Sequence, residues 1–230
     1  MKIACITYRD WAISIYDKIY EIYNDKHDFL IWKKKDDFDA SLLKEFKPDL
    51  ILWYGWSWIV ENTFVSDYES IMLHPSPLPK YRGGSPIQNQ IINGEKIGAV
   101  TLFRMSEGLD KGDIYQQLPM CLSGTLDDIF RRIIDLGFAA TCNILDGNYF
   151  LKQQDHTDST YFKRLSPERS EITKEELENE TIDYLYNKIR MLATPYPNAY
   201  VIIHGYKFLF KTVQKSVNDS LLSEVTIEKI

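Results

Sequence analysis

The chain has little cysteine, no surplus of positive charge and no long apolar run, and each scarcity excludes something. Its 3 cysteines, Cys5, Cys121 and Cys142, lie scattered in apolar surroundings without metal-ligand spacing. An odd, dispersed set fits a reducing cytoplasm better than a disulfide framework. Lys and Arg total 27 against 33 Asp and Glu, for a formal charge of -6. That balance disfavours a nucleic-acid partner, because phosphate backbones ask for a basic face. The apolar runs are far too short to span a bilayer. Met1-Lys2 leads straight into the β-rich run Ile3 to Tyr8, unlike a charged-then-apolar leader. A cytoplasmic protein with no membrane partner is expected. A G-x-G-x-x-G is missing after the first strand, where the turn reads Tyr8-Arg9-Asp10-Trp11. A dinucleotide is therefore not expected there in the usual way.

What is present supports one domain of ordinary size plus a small appendage, with 44% hydrophobic residues to fill a core. Lys2–Tyr8, Asp28–Trp32, Pro48–Trp53, Ser70–His74, Gly98–Arg104 and Asp113–Met120 read as strands. Trp11–Tyr23 reads as a helix, with Ile13, Ile15, Ile19 and Ile22 at helical spacing. Asp39–Phe46 reads as a short helix. The β/α alternation through residue 74 predicts an α/β fold with a doubly wound, mostly parallel, Rossmann-like sheet. Thr125–Leu145 is a long helix with Thr125 and Asp128 placed for its cap, and Ile129, Ile133, Leu136, Ala140 and Ile144 on one stripe. Residues 1–150 are expected to form the main domain. A polar connecting segment follows over 151–180, then a C-terminal helix (Thr181–Leu192) and a β-hairpin around His204-Gly205-Tyr206 over 181–230.

The stretch from Ile71 to Ile114 carries the chemistry. His74 closes an apolar strand, and a loop stiffened by Pro75, Pro77 and Pro79 follows it. Lys80, Tyr81 and Arg82 add cationic and hydrogen-bonding groups, and Gly83-Gly84 lets backbone approach a ligand. Such a loop suits an anionic substrate. The next strand ends in Glu107-Gly108-Leu109-Asp110, and topology can bring Asp110 to His74. A histidine facing a carboxylate is the minimum for proton-coupled transfer. Taken singly, His74 reads as a satisfied core histidine, and Asp110 is equally a plain turn residue. Arg9 at the first turn is suited to a phosphate or to a surface ion pair. Trp11 is suited to stacking on a base or to helix packing.

HPSPLPKYRGGSPIQNQIINGE followed by VTLFRMSEGLDKGDI resembles the formyltransferases that use N10-formyltetrahydrofolate. The resemblance runs from Met1 to about residue 145 and resumes at YNKIRMLATPYPNAY. It implies attack of a substrate amine on the formyl carbon. His74 and an asparagine would stabilise the oxyanion, and Asp110 would assist proton removal and tune the histidine. It also implies a folate pocket walled by Ser57, Trp58, Ile59 and Val60 on one side and Glu107, Gly108 and Leu109 on the other. The catalytic pair is then His74 and Asp110, with Arg9, Trp11, Lys80, Tyr81 and Arg82 facing the acceptor and no metal. The asparagine belongs two residues before the histidine, and this chain has Met72 there. A thioether donates no hydrogen bond. Another donor (Asn89, Gln88, a backbone N–H or water) can replace it, His74 can act alone and more slowly, or the protein can bind folate and nucleotide sugar without turnover.

Among acceptors, the reading favours a dTDP-linked amino-dideoxyhexose for surface polysaccharide synthesis. Its alternatives are glycinamide ribonucleotide and methionyl-tRNA. The tRNA is disfavoured by about thirty residues after Pro197 and a pI of about 5.3. A homodimer through the apolar hairpin is expected as well.

Overall fold

A computed structural model describes residues 1–218 and 220–230. The chain divides into two compact units. The first comprises Met1–Gly83, Ile97–Cys121 and Phe130–Tyr161, and the second Gly84–Lys96, Leu122–Ile129 and Phe162–Ile230. The chain thus leaves and re-enters each unit, whereas the sequence suggested linear boundaries at 150 and 180.

In the first unit, β1 (Lys2–Ile6), α1 (Asp10–Tyr23), β2 (Asp28–Trp32), α2 (Ala40–Phe46), β3 (Leu50–Leu52), α3 (Asn62–Ser66) and β4 (Glu69–His74) alternate as expected. The short β5 (Arg82–Gly83) follows in the same unit. In the second, α4 (Pro86–Ile92) precedes β6 (Ile97–Arg104) and β7 (Ile114–Cys121), which belong to the first. A six-stranded sheet has the order β2-β1-β3-β4-β6-β7. Pairings from β2 through β4 are parallel, while β4–β6 and β6–β7 are antiparallel. Strands β1 and β3 are buried along their length apart from Lys2, as parallel strands covered on both faces must be.

Asp39 caps α2 by accepting the N–H groups of Ser41 and Leu42. Helix α1 buries Ala12, Ile15, Tyr16, Ile19 and Tyr23, while Ile22 is exposed. The inward stripe is therefore rotated from the isoleucine stripe, bringing Tyr16 and Tyr23 inside. Tyr16 Oη donates to Leu52 O at 2.7 Å and accepts from Tyr54 N at 2.8 Å, tying the helix to the end of β3.

Helix α5 (Leu126–Leu145) starts at a reciprocal cap. Thr125 N donates to Asp128 Oδ2 at 2.9 Å, and Asp128 N donates to Thr125 Oγ1 at 3.2 Å. Farther along, in the first unit, a Cβ on Gly137 would meet Ile15 Cδ1 and Leu73 Cδ1 at 2.8 Å. The helix packs there with no room for a methyl group. An apolar cluster of Ala4, Ile6, Trp32, Ile51, Trp53 and Phe64 fills the first unit, with Met72 and Trp56 packed against it. Fully burying a Phe or Leu side chain stabilises by about 1.5–3 kcal/mol, which sets the scale of what each large residue of this cluster contributes.

In the second unit, after the short β8 (Tyr161–Phe162), which straddles the boundary, come α6 (Lys174–Asn179), α7 (Ile182–Met191), β9 (Tyr200–Ile203) and β10 (Tyr206–Phe210). The short β11 (Gln214–Lys215) and β12 (Leu221–Leu222) pair with each other, and β13 (Val225–Lys229) ends the chain's order. Helix α4 packs against α7. The hairpin expected from sequence is β9–β10, and β13 adds a third antiparallel strand on β10. The edge of β10 away from β9 is thus paired within the chain.

Candidate active site

The register of β4 with β6 decides how the two halves of the site meet. Ile71 faces Arg104 and His74 faces Thr101, so β6 leaves the sheet beside the start of β4 rather than beside His74. Residues 105–110 must double back to reach the histidine. Met105 N is held by Ser70 O at 2.8 Å. Gly108 and Asp110 then take positive φ values, 92° and 54°. Asp110 is a non-glycine in a region that L-residues enter at a cost. Gly112 is required by contact: a Cβ there would lie 1.7 Å from Arg104 O. The sequence reading expected two loops leaving one sheet edge. The pair is instead brought together by this reversal.

His74 and Asp110 are both buried, 5% and 7% exposed. His74 Nδ1 lies 3.7 Å from Asp110 Oδ2. His74 Nε2 is 2.8 Å from Tyr81 O, and because a carbonyl only accepts, Nε2 carries a hydrogen. The Nδ1 edge of the ring is left facing the carboxylate across a gap longer than a hydrogen bond. Asp110 Oδ2 also accepts from Gly83 N at 2.8 Å. Tyr81, itself at φ 60°, is anchored by its N–H on Thr160 Oγ1 at 2.8 Å.

Arg82 is 5% exposed, and its guanidinium is turned inward. Nη2 donates to Gln154 Oε1 at 2.6 Å and to His156 Nδ1 at 2.7 Å, while Nε is buried without a partner. Burial lowers its pKa from the ordinary arginine value, and the nearby Asp110 works in the opposite direction. Lys80, by contrast, is exposed. Gln154, 4% exposed, was missed by sequence reasoning, which placed it in a polar surface crossing. A single glutamine in QQDHTDST carries no motif signal, and only the fold shows that it is inside.

The loop between β3 and α3 is tethered by rings. Trp53 packs on Trp56 at 5.9 Å, Trp56 on Trp58 at 4.9 Å, and Trp58 on Tyr8 at 4.8 Å. Tyr8 Oη and Ser57 Oγ are 2.5 Å apart, and Lys35 Nζ sits 4.5 Å over Trp58. Trp58 is 41% exposed and Ile59 is fully exposed, whereas Val60 joins the apolar core cluster. Glu107, Gly108 and Leu109 are exposed. Arg9 lies 4.6 Å over the Tyr8 ring. Gly55, at φ 68°, lies beneath Arg9 and Trp11, where a Cβ would meet Arg9 Cγ at 2.9 Å and Trp11 Cζ2 at 3.1 Å.

Met72 is half-buried and touches two apolar clusters, one around Trp53 and one of Leu78, Phe103 and Ile114. In the second unit, Asn89 directs its amide hydrogens at Gly84 O and Ser85 O, 2.9 and 3.0 Å away, so they hold the start of α4. Gln88 Nε2 is buried without a partner. Among the described residues no group of three or more His, Cys, Asp or Glu is placed to hold a metal ion. No helix among them is long and apolar enough to cross a membrane.

Residues 24–142 match the family model described as formyl transferase. Residues 167–228 match the model described as methionyl-tRNA formyltransferase, C-terminal domain. Methionyl-tRNA formyltransferase of Halalkalibacterium halodurans is 33% identical over 75% of this chain and 56% of its own length. That of Ehrlichia canis is 29% identical over 74% of this chain and 55% of its own. The chain therefore spans a little over half the length of these curated relatives. The solved methionyl-tRNA formyltransferase from Clostridium thermocellum is 28% identical with a TM-score of 0.90, covering 100% of this chain and 99% of that one. A sugar N-formyltransferase from a Shewanella species shares the fold at 18% identity, TM-score 0.71, covering 94% and 99%.

These findings overturn the amino-sugar acceptor. The C-terminal match begins at residue 167, so counting residues after Pro197 missed half of that region. A solved chain named for methionyl-tRNA is, moreover, covered almost end to end by this one. The expectation of no nucleic-acid partner also runs against the names of these relatives. Net charge averages over a surface that a partner touches only in part, so it does not decide the partner.

Proposed function

Because the chain belongs to the formyl transferase family, we propose that it moves a formyl group from N10-formyltetrahydrofolate to the amine of methionyl-tRNA. The observation that carries this reading is the buried His74–Asp110 pair, set in a match to a methionyl-tRNA formyltransferase at TM-score 0.90.

The amine nitrogen attacks the formyl carbon, and the carbonyl π pair moves to oxygen. His74, its Nε2–H already held by Tyr81 O, acts as the imidazolium and donates its Nδ1–H to that oxyanion. Asp110 takes the proton the amine loses. The bond between the formyl carbon and N10 then breaks as the carbonyl re-forms, and the proton held by Asp110 passes to N10. Nδ1 and Oδ2 lie 3.7 Å apart, so a reacting group set beside the pair can be within reach of both. Burial strengthens each charge interaction relative to water. The pterin sits against the Ser57–Val60 loop and the Glu107–Leu109 turn. Lys80, on the exposed side of its loop, meets phosphate of the acceptor.

The test is formylation of charged initiator methionyl-tRNA, followed by tetrahydrofolate release and mass of the product. His74→Ala and Asp110→Ala are each expected to lower kcat by about 10²–10⁴-fold while folate binding persists. Tight folate binding with no formylated tRNA at any enzyme concentration would defeat the reading.

A further inference from the structure

We propose that Gln154 is a positioning residue that holds the Asp110 carboxylate in place at His74 and Gly83. Every hydrogen-bonding group of its side-chain amide is committed. Nε2 donates to Asp110 O at 3.0 Å and to Gly112 O at 2.7 Å. Oε1 accepts from Arg82 Nη2 at 2.6 Å. The residue is 4% exposed, so water does not substitute cheaply for any of these bonds.

The held carbonyls bracket the strained part of the reversal. Asp110 has a positive φ, and Gly112 is pressed onto Arg104 O where no side chain fits. A segment in such a conformation persists only when its surroundings over-determine it. Gln154 supplies that constraint from outside the turn, clamping the backbone on both sides of Lys111. Its oxygen reaches the other side of the site as well. Arg82 immediately precedes Gly83, whose N–H binds Asp110 Oδ2. One amide therefore registers the turn that carries the carboxylate against the strand that receives it. An Asp110 displaced by an ångström loses its alignment with Nδ1, and misplacement of that size is costly in catalysis.

This inference rests on the formyl-transfer reading for its catalytic consequence, but its structural core is testable without turnover. Gln154→Glu keeps the shape and still accepts from Arg82, yet a carboxylate cannot donate to two carbonyls. Gln154→Ala removes both functions. His156→Ala removes the second acceptor on Arg82 while leaving the clamp. Amide exchange at Gly83, read by NMR, reports whether Asp110 Oδ2 is still in place. Exchange is expected to quicken about 10-fold or more in Gln154→Glu and Gln154→Ala, and to change little in His156→Ala. In steady-state assays the two Gln154 variants should lower kcat about 10- to 100-fold, leave KM for the folate nearly unchanged, and displace the pH profile of kcat.

Unchanged Gly83 exchange would overturn the proposal whatever the activity. Faster exchange with kcat and its pH profile unmoved would reduce Gln154 to a structural residue and overturn it too. A wild-type protein that formylates nothing would defeat the functional reading, and the exchange arm would still decide whether Gln154 holds Asp110.

Discussion

Met72→Asn offers the sharpest test of how this site works. The family resemblance asks for an amide donor at this position, and the chain supplies a thioether that donates nothing. If His74 carries the oxyanion with one donor missing, restoring an amide should raise kcat by about 10²–10³-fold, equivalent to roughly 2.7–4 kcal/mol of transition-state stabilisation. The same change must weaken the fold. Met72 is half-buried between the Trp53 cluster and the Leu78–Phe103–Ile114 cluster. Losing part of that apolar burial costs about 1 kcal/mol. An amide left partly unpaired in the free enzyme adds about 1–3 kcal/mol. For a chain of this length, about 2–4 kcal/mol corresponds to a fall in Tm of roughly 4–16 °C. Rate and stability thus move in opposite directions, and the experiment cannot confuse them. Single-turnover formyl transfer gives the first quantity and a thermal melt the second. A folded Met72→Asn protein whose rate is unchanged or lower would refute the reasoning: the oxyanion would then lie out of reach of residue 72.

Gly112→Ala places a methyl carbon where Arg104 O already sits, 1.7 Å away, so the turn must move. A loss of about 3 kcal/mol or more in denaturant stability is expected, with formyl transfer falling alongside. Glu176 in the second unit gives a pH signature. Burial pushes its pKa up, but hydrogen bonds from Lys188, Tyr184 and the Thr173 N–H outweigh that and hold it below the ordinary glutamate value. A depressed folded pKa means stability present above the ordinary carboxylate value and lost as pH falls through the lowered one. Melts between pH 7 and 3 should show this loss in wild type and a flatter curve in Glu176→Gln, and parallel curves would refute it. Lys188 lies within 2.5 Å of both Glu171 O and Glu176 Oε1, so Lys188→Met should destabilise more than Glu176→Gln in the same melts.

The order of elements was legible in the residues, and so were the segments from which the candidate site is built. Apolar runs such as Ile3–Ile6 and Leu50–Leu52, bounded by turn signals, read as buried strands, and the Asp39 and Thr125–Asp128 caps mark helix starts by local hydrogen bonding. His74, the proline-stiffened loop and the Glu107–Asp110 turn announce a site because each is local in sequence. The acceptor was not legible: net charge and residues counted after Pro197 average over the very features that bear on it. Which face of α1 turns inward depended on Tyr16 finding Leu52 O and Tyr54 N, partners far off in sequence. That Arg82 points inward, that Asn89 spends its amide on the start of α4, and that Gln154 grips the Asp110 turn were likewise decided only in three dimensions. A sequence fixes local propensity and periodicity, whereas the direction of a polar side chain is set by whichever unpaired group the folded backbone leaves within reach.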